Sequence, residues 1–540
     1  MHTLTNSRPG HPVLIVGAGP VGLTLASLLH DQGVPTRIVE RLPAASPESK
    51  ALLVWPRTLQ VLRQLGGADA ITRHGLPVES FRYYSSARQV AELPFDDRLQ
   101  PVILPQPDVE KLLSDALSAR GGSVERGVEL LSLRQDADVV HARLQSGETV
   151  TEETFSYVVG CDGAGSTVRE LLGVSFDGDT YPTNFWLVDT KVTGSVSTSS
   201  VHYFCSPQGV LVLIGLPGGR FRVFTSAPVG AGAEEPTLDA MQALVDERGP
   251  GGLTLEDPDW ISSFAVHARL ADRYRVGRVF LAGNAAHVHS PAGGQGLCTG
   301  VTDAHNLAWK IGLAWRGQAG EALLATYEPE RSEIARTVIK RADIQTKAWV
   351  VRRPAAIAVR DQALRLASAT RLLDIEFIPW LSGFRARYSW GALIPDGRKP
   401  LRRAARRQFV PGALLPQIPV DVELADGQRS LLPDVVEDSV LHTLLVVTRR
   451  GRQGHVNMPE GVSQALSDGL VRVWNLETSG RVTAVSPAAG DSRVKASSTF
   501  VLVRPDGHIA AVTEATAPAA ISSYLQRFLV PTAEARVLVP

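Results

Sequence analysis

The spacing of apolar positions changes several times along the chain, and each change predicts an element. Val13-Leu14-Ile15-Val16 is an unbroken apolar run followed by glycines at 17, 19 and 22 and then by Leu23, Leu25, Ala26, Leu28 and Leu29. A short run closed by glycine predicts a buried strand, and the longer segment after it predicts a helix. A second short run, 36–39, ends in Glu40. Pro105-Gln106-Pro107-Asp108 precedes Val109, Leu112, Leu113, Ala116 and Leu117, the spacing of one helix face with Asp108 as its cap. From 128 to 159 the period falls to two, with turn signals at 136–138 and 146–147, which predicts an antiparallel meander ending in Gly160-Cys161-Asp162-Gly163. Residues 176–264 are richer in aromatic and β-branched side chains and predict a hairpin, 210–214 with 221–224, around Pro217-Gly218-Gly219. Strand, loop and a helix over about 299–313 follow, then further helices to about residue 385. Beyond 408, strand-like runs at 441–447, 471–473 and 499–503 lead to the turn Arg504-Pro505-Asp506-Gly507 and a terminal helix near 521–528.

The first of these units, residues 13–40, is strand, glycine turn, helix and second strand closed by an acid, the arrangement that grips a dinucleotide. Gly17 allows the tight turn, Gly19 lets the backbone approach a pyrophosphate, and Gly22 lets the helix pack on the strand. The helix opening at Pro20 and Val21 then turns its first N–H groups and positive dipole end toward the phosphates. Glu40 is placed to accept hydrogen bonds from both ribose hydroxyls. A signal or membrane segment is excluded here, because glycines and a proline would stand in mid-helix and no cleavage site follows. The 540 residues carry a formal net charge of zero, which argues against nucleic acid or an acidic membrane surface as a bulk partner. The three cysteines, Cys161, Cys205 and Cys298, form no C-x-x-C pair. That excludes a disulfide framework and a zinc site, leaves no metal expected, and fits a reducing cytoplasm.

Two further segments carry chemistry. Tyr157-Val158-Val159-Gly160-Cys161-Asp162-Gly163-Ala164-Gly165 is a strand ending in Asp-Gly at a helix start. The other runs from Gly277 through Leu281-Ala282-Gly283-Asn284-Ala285-Ala286-His287 and Ser290-Pro291-Ala292-Gly293-Gly294-Gln295-Gly296-Leu297-Cys298 into a helix containing Asp303-Ala304-His305-Asn306. A glycine-rich loop opening a long helix aims unpaired N–H groups at one point, which suits the edge of a flavin where negative charge collects on reduction. With the N-terminal fingerprint, these segments resemble the para-hydroxybenzoate hydroxylase family of FAD-dependent monooxygenases, over roughly residues 12–345.

The resemblance implies an α/β fold: a doubly wound FAD domain (1–175 and 265–395), an inserted antiparallel β-sheet substrate domain (176–264), a basic linker (396–407) and a thioredoxin-like tail (408–540). That tail contains no cysteine, which excludes redox exchange there and leaves packing or dimerisation. Cofactor contacts implied by the resemblance are Gly17, Gly19, Pro20, Val21, Gly22, Glu40, Arg41, Lys50, Gln106, Leu130, Asp162, Gly163, Gly283, Asn284, Pro291, Gly294, Gln295, Gly296, Leu297 and Cys298. Gln106 would reach the flavin's linker, Lys50 the phosphates and Asn284 the ribityl chain. Asp162-Gly163 fits a motif serving both FAD and the nicotinamide cofactor, with simple helix capping as the alternative for Asp162. Arg57 either binds phosphate or covers the surface, and His287 and His289 read as structural.

Three positions depart from the family pattern. Asn284 stands where aspartate is usual and brings no charge, Cys298 where asparagine is usual, and Lys50 where arginine is usual, without the bidentate fork. Trp186, Tyr203, Phe204, Phe221 and Phe224 are candidates to line an aromatic substrate cavity, joined by Tyr181 and the 388–390 stretch. The basic run 398–407, with no interleaved aromatics, reads as a solvated linker.

The activity implied is hydroxylation of a phenolic or polyketide-like ring, with NADPH or NADH as transient reductant, O2 as co-substrate and a flavin C4a-hydroperoxide as the reactive species. No side chain is assigned a catalytic role, because the flavin supplies the reactive oxygen. Partners are then a small aromatic substrate and, through the tail, a second copy in a homodimer. Baeyer–Villiger or epoxidation chemistry with the same cofactor is the nearest alternative. A flavin-binding protein without redox turnover, such as a non-redox cyclase, is the alternative from another class.

Overall fold

The computed structural model describes residues 10–49, 51–86, 88–228, 230–231, 234–389, 409–422, 429–437, 440–449, 455–458, 460–479, 482–487, 493–495 and 498–529. Lys50, Trp390 and the basic run 398–407 lie outside the described residues. Six strands form the first sheet, in the order Arg275–Val276, Val279–Leu281, Tyr157–Gly160, Val13–Val16, Thr36–Glu40 and Val124–Arg126. All pairs are parallel except that of the Arg275–Val276 edge. Val13–Val16 is buried throughout, as an apolar run between two parallel neighbours requires. The helix Pro20–Asp31 packs on the helix Gly296–Trp315. Their close approach depends on Gly300, where a Cβ would lie 2.6 Å from Val21 Cγ2.

The predicted meander is present as Val128–Gln135, Val140–Ser146 and Thr149–Phe155. The helix expected to be capped by Asp108 instead spans Gln106–Ala119, with Pro105 at its cap. Proline at the second helical position has φ already set for the helix, so the start moves upstream, and Asp108 sits in the first turn facing the positive dipole end.

Seven strands form the middle sheet, in the order Thr254–Phe264, Phe185–Thr193, Phe221–Ser226, Gly209–Gly215, Ser200–Ser206, Ser80–Ser85 and Arg88–Pro94. The last two belong to a hairpin from the N-terminal part of the chain, and Ser80–Ser85 joins Ser200–Ser206 in parallel. One face of this sheet carries the helix Leu238–Arg248 through Met241 and Val245. Its other face packs against the first domain, including Trp55, Ala342 and Trp349. A third sheet, with order Arg429–Leu431, Pro419–Val422, Val482–Pro487, Val471–Ser479, His442–Arg449, Thr499–Val503 and Ile509–Glu514, builds the C-terminal region with the helices Glu460–Ser467 and Ala519–Phe528. Among the described residues, no helix is long and apolar enough to cross a membrane.

Candidate functional site

Two glycine turns open two helices at the same edge of the parallel sheet. At the first, Gly17 has φ +104°, and a Cβ there would lie 2.5 Å from the Cys161 carbonyl oxygen. A Cβ at Gly22 would meet Gly17 O at 2.0 Å, so both positions exclude any larger residue. Gly19, by contrast, faces open space. The helix Pro20–Asp31 has no side-chain cap and no acid in its first turn, which leaves its leading N–H groups available to an anion. Glu40 accepts from the Ala18 N–H at 3.0 Å and from the Leu42 N–H at 3.0 Å, so its carboxylate is fixed at the end of its strand. Arg41 beside it is exposed.

The second turn carries Asn284, exposed on a single turn of helix at Gly283–Ala285, and then Pro291, also exposed. Gly293 and Gly294 adopt φ +81° and +61°. A Cβ at Gly294 would lie 2.8 Å from Leu53 Cβ and one at Gly293 3.1 Å from Leu381 Cδ2, whereas Gly296 faces open space. The helix Gly296–Trp315 again lacks a side-chain cap. Gln295 is buried, with its Nε2 3.4 Å from the Leu381 carbonyl, and Leu297 is half-buried. Cys298 Sγ accepts from the Trp55 N–H at 3.4 Å and so ties the loop before helix Pro56–Gln64 to the glycine turn. Burial pushes this thiol up, away from a reactive thiolate.

Between the turns, Gly163 (φ +81°) and Gly165 face open space. Asp162 accepts from Ser166 Oγ at 2.5 Å and from the Val168 N–H at 3.1 Å, which is helix capping. Burial raises its pKa, and these hydrogen bonds oppose that rise. Gln106 Oε1 accepts from the Ala51 N–H at 3.2 Å while its Nε2 donates to Glu110 at 2.9 Å, so it anchors the segment that follows Lys50. Leu130 has its side chain 3 % exposed in the main core, which leaves only its backbone for a ligand.

The structure divides the five aromatic substrate candidates. Tyr203 and Phe224 lie on the face turned to the first domain, in one cluster with Trp55 and Cys298. Phe204 and Phe221, with Trp186 packed against them, lie on the opposite face under the helix Leu238–Arg248, away from the first domain. The cause is strand alternation: Tyr203 and Phe204 are consecutive, and Phe221 and Phe224 are separated by an odd number. The face toward the first domain also carries Phe81, Tyr83, Phe185, Phe264 and Trp349. Tyr83 stacks on Tyr203 at 4.7 Å and Phe185 on Phe224 at 4.9 Å. Tyr181 borders this cluster, its hydroxyl donating to Asp343 at 2.7 Å. Tyr388 stands elsewhere, stacked on His508 of the C-terminal region at 4.1 Å.

Arg57 does not cover the surface. It is 3 % exposed and donates to Glu437 Oε2 at 2.8 Å and to the Asp506 carbonyl at 2.7 Å. His287 is fully buried and has a carboxylate partner that its surroundings in sequence do not reveal: its Nε2 lies 2.7 Å from Asp303 Oδ2. Burial pushes Asp303 up, but Arg331 and His287 outweigh it and hold the carboxyl below its ordinary value. His289 Nδ1 lies 2.8 Å from the Ser290 carbonyl, which makes it a donor, and burial lowers this ring to about 4, so it is neutral near pH 7.

Two uncapped helix starts, a fixed acid at the end of a strand and four glycines facing open space form a polar edge that fits an extended dinucleotide. The family described as FAD binding domain matches residues 11–342. The 6-methylpretetramide 4-monooxygenase of Streptomyces rimosus is 32% identical over 96% of this chain and 93% of its own length. Among solved structures, the flavin-dependent monooxygenase PieE, in complex with FAD and substrate, is similar with a TM-score of 0.77 at 26% identity, over 97% of this chain and 100% of that one. Aklavinone-11 hydroxylase, in a ternary complex with FAD and aklavinone, has a TM-score of 0.73 at 27% identity, over 97% and 99% of the two chains.

Proposed function

Because the chain belongs to the FAD-binding-domain family and is an FAD-dependent monooxygenase of the aromatic-hydroxylase type, we propose that its substrate is a flat, polycyclic phenol of the polyketide kind and its reductant NADPH or NADH. The observation that carries the substrate class is the aromatic face of the middle sheet. Tyr83, Tyr203, Phe185 and Phe224 stack there beside Cys298 and Trp55, at the glycine turn that opens the second helix.

When bound, FAD supplies the redox chemistry and the activation of O2. Gly17 and Gly19 with the start of helix Pro20–Asp31, packed closely through Gly22, would hold the pyrophosphate, and Glu40 the adenosine ribose. Asn284 would serve the ribityl chain, and the leading N–H groups of helix Gly296–Trp315 would serve the pyrimidine edge of the ring. Asp162 acts through the helix it caps. The aromatic face orients the substrate ring and excludes water from it, which is positioning rather than acid–base catalysis. His289, neutral and with Nε2 as its acceptor, can take a hydrogen bond but adds no charge there. We read the cysteine-free region 408–540 as a thioredoxin-like domain with a docking role.

The test is an absorption spectrum of the purified protein, followed by anaerobic NADPH addition with and without a panel of phenolic polyketides. Bands near ~370 and ~450 nm that bleach faster with one ligand support the reading and point to the substrate. A yellow protein whose reduction no polycyclic phenol accelerates overturns the substrate proposal.

A further inference from the structure

The cofactor edge and the C-terminal region are joined by one continuous chain of buried hydrogen bonds. At the cofactor end, Asp303 Oδ2 accepts from the Gly283 N–H at 3.0 Å and so holds the turn that presents Asn284. Its other oxygen accepts from Arg331 Nε at 2.6 Å. Arg331 Nη2 reaches the Thr299 carbonyl at 3.2 Å and Thr302 Oγ1 at 2.9 Å, both near the start of helix Gly296–Trp315. The Arg331–Asp303 pair therefore fixes the two pieces of the flavin-facing edge relative to each other.

Arg331 is itself fixed from the C-terminal side. Its Nη1 donates to the Tyr388 hydroxyl at 3.3 Å, and that hydroxyl also accepts from Asn306 Nδ2 at 3.0 Å. Asn306 Nδ2 lies 3.0 Å from Asp506 Oδ2, on the turn Arg504-Pro505-Asp506-Gly507. Arg504 closes the turn onto Asp506 and reaches across to Glu330 at 2.9 Å. Every side chain in this path is buried except Thr302, which is half-buried.

We propose that the Arg504–Gly507 turn is a positioning element for the flavin site, acting through Asn306, Tyr388 and Arg331 on Asp303 and the Gly283 turn. The inference rests on the FAD-binding reading of the site. Its physical basis is that buried groups tied to one another by several hydrogen bonds have few alternative arrangements, so a shift of the turn is transmitted rather than absorbed. A misplacement of even an ångström at a preorganised site is costly.

Tyr388→Phe removes one hydroxyl from the path without changing charge. Asp434→Asn is the control, since it alters the Gln60–Asp434 contact, 3.2 Å, between the same two regions, and Gln60 and Asp434 are not members of the path. Both are made in the full chain and read by FAD titration of the apoprotein, the flavin midpoint potential and the melting temperature. The expected result is that Tyr388→Phe weakens FAD binding roughly three- to ten-fold and shifts the potential, while Asp434→Asn leaves both unchanged. Unchanged FAD affinity and potential in folded Tyr388→Phe, or equal changes in both variants, overturns the proposal. Should Tyr388→Phe not fold, Asn306→Asp is read against the same control by the same criteria. Wild-type protein that binds no FAD would instead sink the reading beneath it.

Discussion

The first domain meets its two neighbours through interfaces of opposite chemistry. Toward the middle sheet the contact is aromatic: Trp55 meets Phe81 edge-on at 5.9 Å, and Tyr203 meets Trp349 at 5.1 Å. Toward the C-terminal region, an apolar patch around Trp309 and Leu323 surrounds four buried acids, Asp303, Glu330, Glu437 and Asp506, balanced by Arg57, Lys310, Arg331 and Arg504. Dispersion and apolar burial carry little directional preference, so the aromatic interface by itself sets no single register. A set of paired buried charges has essentially one low-energy arrangement, so the second interface fixes a register. One side of the cofactor domain is held by ring packing and the other by paired charge.

The largest test of this contrast is Arg504→Met. It strands Glu330 and Asp506 with fewer cations and is expected to cost about 3–5 kcal/mol in urea unfolding. A cost under about 1 kcal/mol would mean that the charges fix nothing. Acid is the next lever, because burial lowers His442, which packs edge-on against Trp309, to about 3, and His305 also to about 3. With folded values below the unfolded value near 6.5, the unfolded chain binds more protons, so stability falls as pH drops from about 6.5 toward 3. Each group contributes roughly 1.4 kcal/mol per pH unit in that window. His442→Gln should therefore flatten the decline of melting temperature on acidification, and an unchanged slope would reject the assignment.

At the aromatic interface, Tyr203→Leu should lower kcat/KM by roughly ten-fold, about 1.4 kcal/mol, while Phe204→Leu on the far face should change stability but leave kcat/KM within about two-fold. Equal kinetic effects would erase the distinction between the faces. The smallest effect expected is that of salt. Raising ionic strength from about 0.05 to about 0.5 M should move unfolding of the C-terminal interface by less than about 0.5 kcal/mol, because buried pairs are poorly screened.

What could be read in advance follows from range. The Gly17–Gly22 fingerprint, Glu40, and the helices opening at Pro20 and Gly296 depend on residues adjacent in sequence, and those elements stand where the pattern puts them, the second helix opening three residues early. The aromatic residues were legible as strand residues, but their facing was not. Alternation separates Tyr203 from Phe204 without saying which face the helix Leu238–Arg248 will cover. Arg57 and Glu437 pair across 380 positions, and Asn306 and Asp506 across 200, so no local pattern could announce them. Asp162 was ambiguous for a different reason: the same carboxylate serves as a cap and stands beside a ligand edge.

The hairpin Ser80–Pro94 leaves the first domain to complete the middle sheet, its strand Ser80–Ser85 lying parallel to Ser200–Ser206. The middle sheet is therefore not a cassette inserted at one point but a braid of two stretches of chain. An engineer exchanging this sheet between relatives would have to move both stretches together. A ribosome making this chain likewise leaves the outer edge of that sheet without its neighbour until Ser200–Ser206 has been synthesised, so the sheet is completed late.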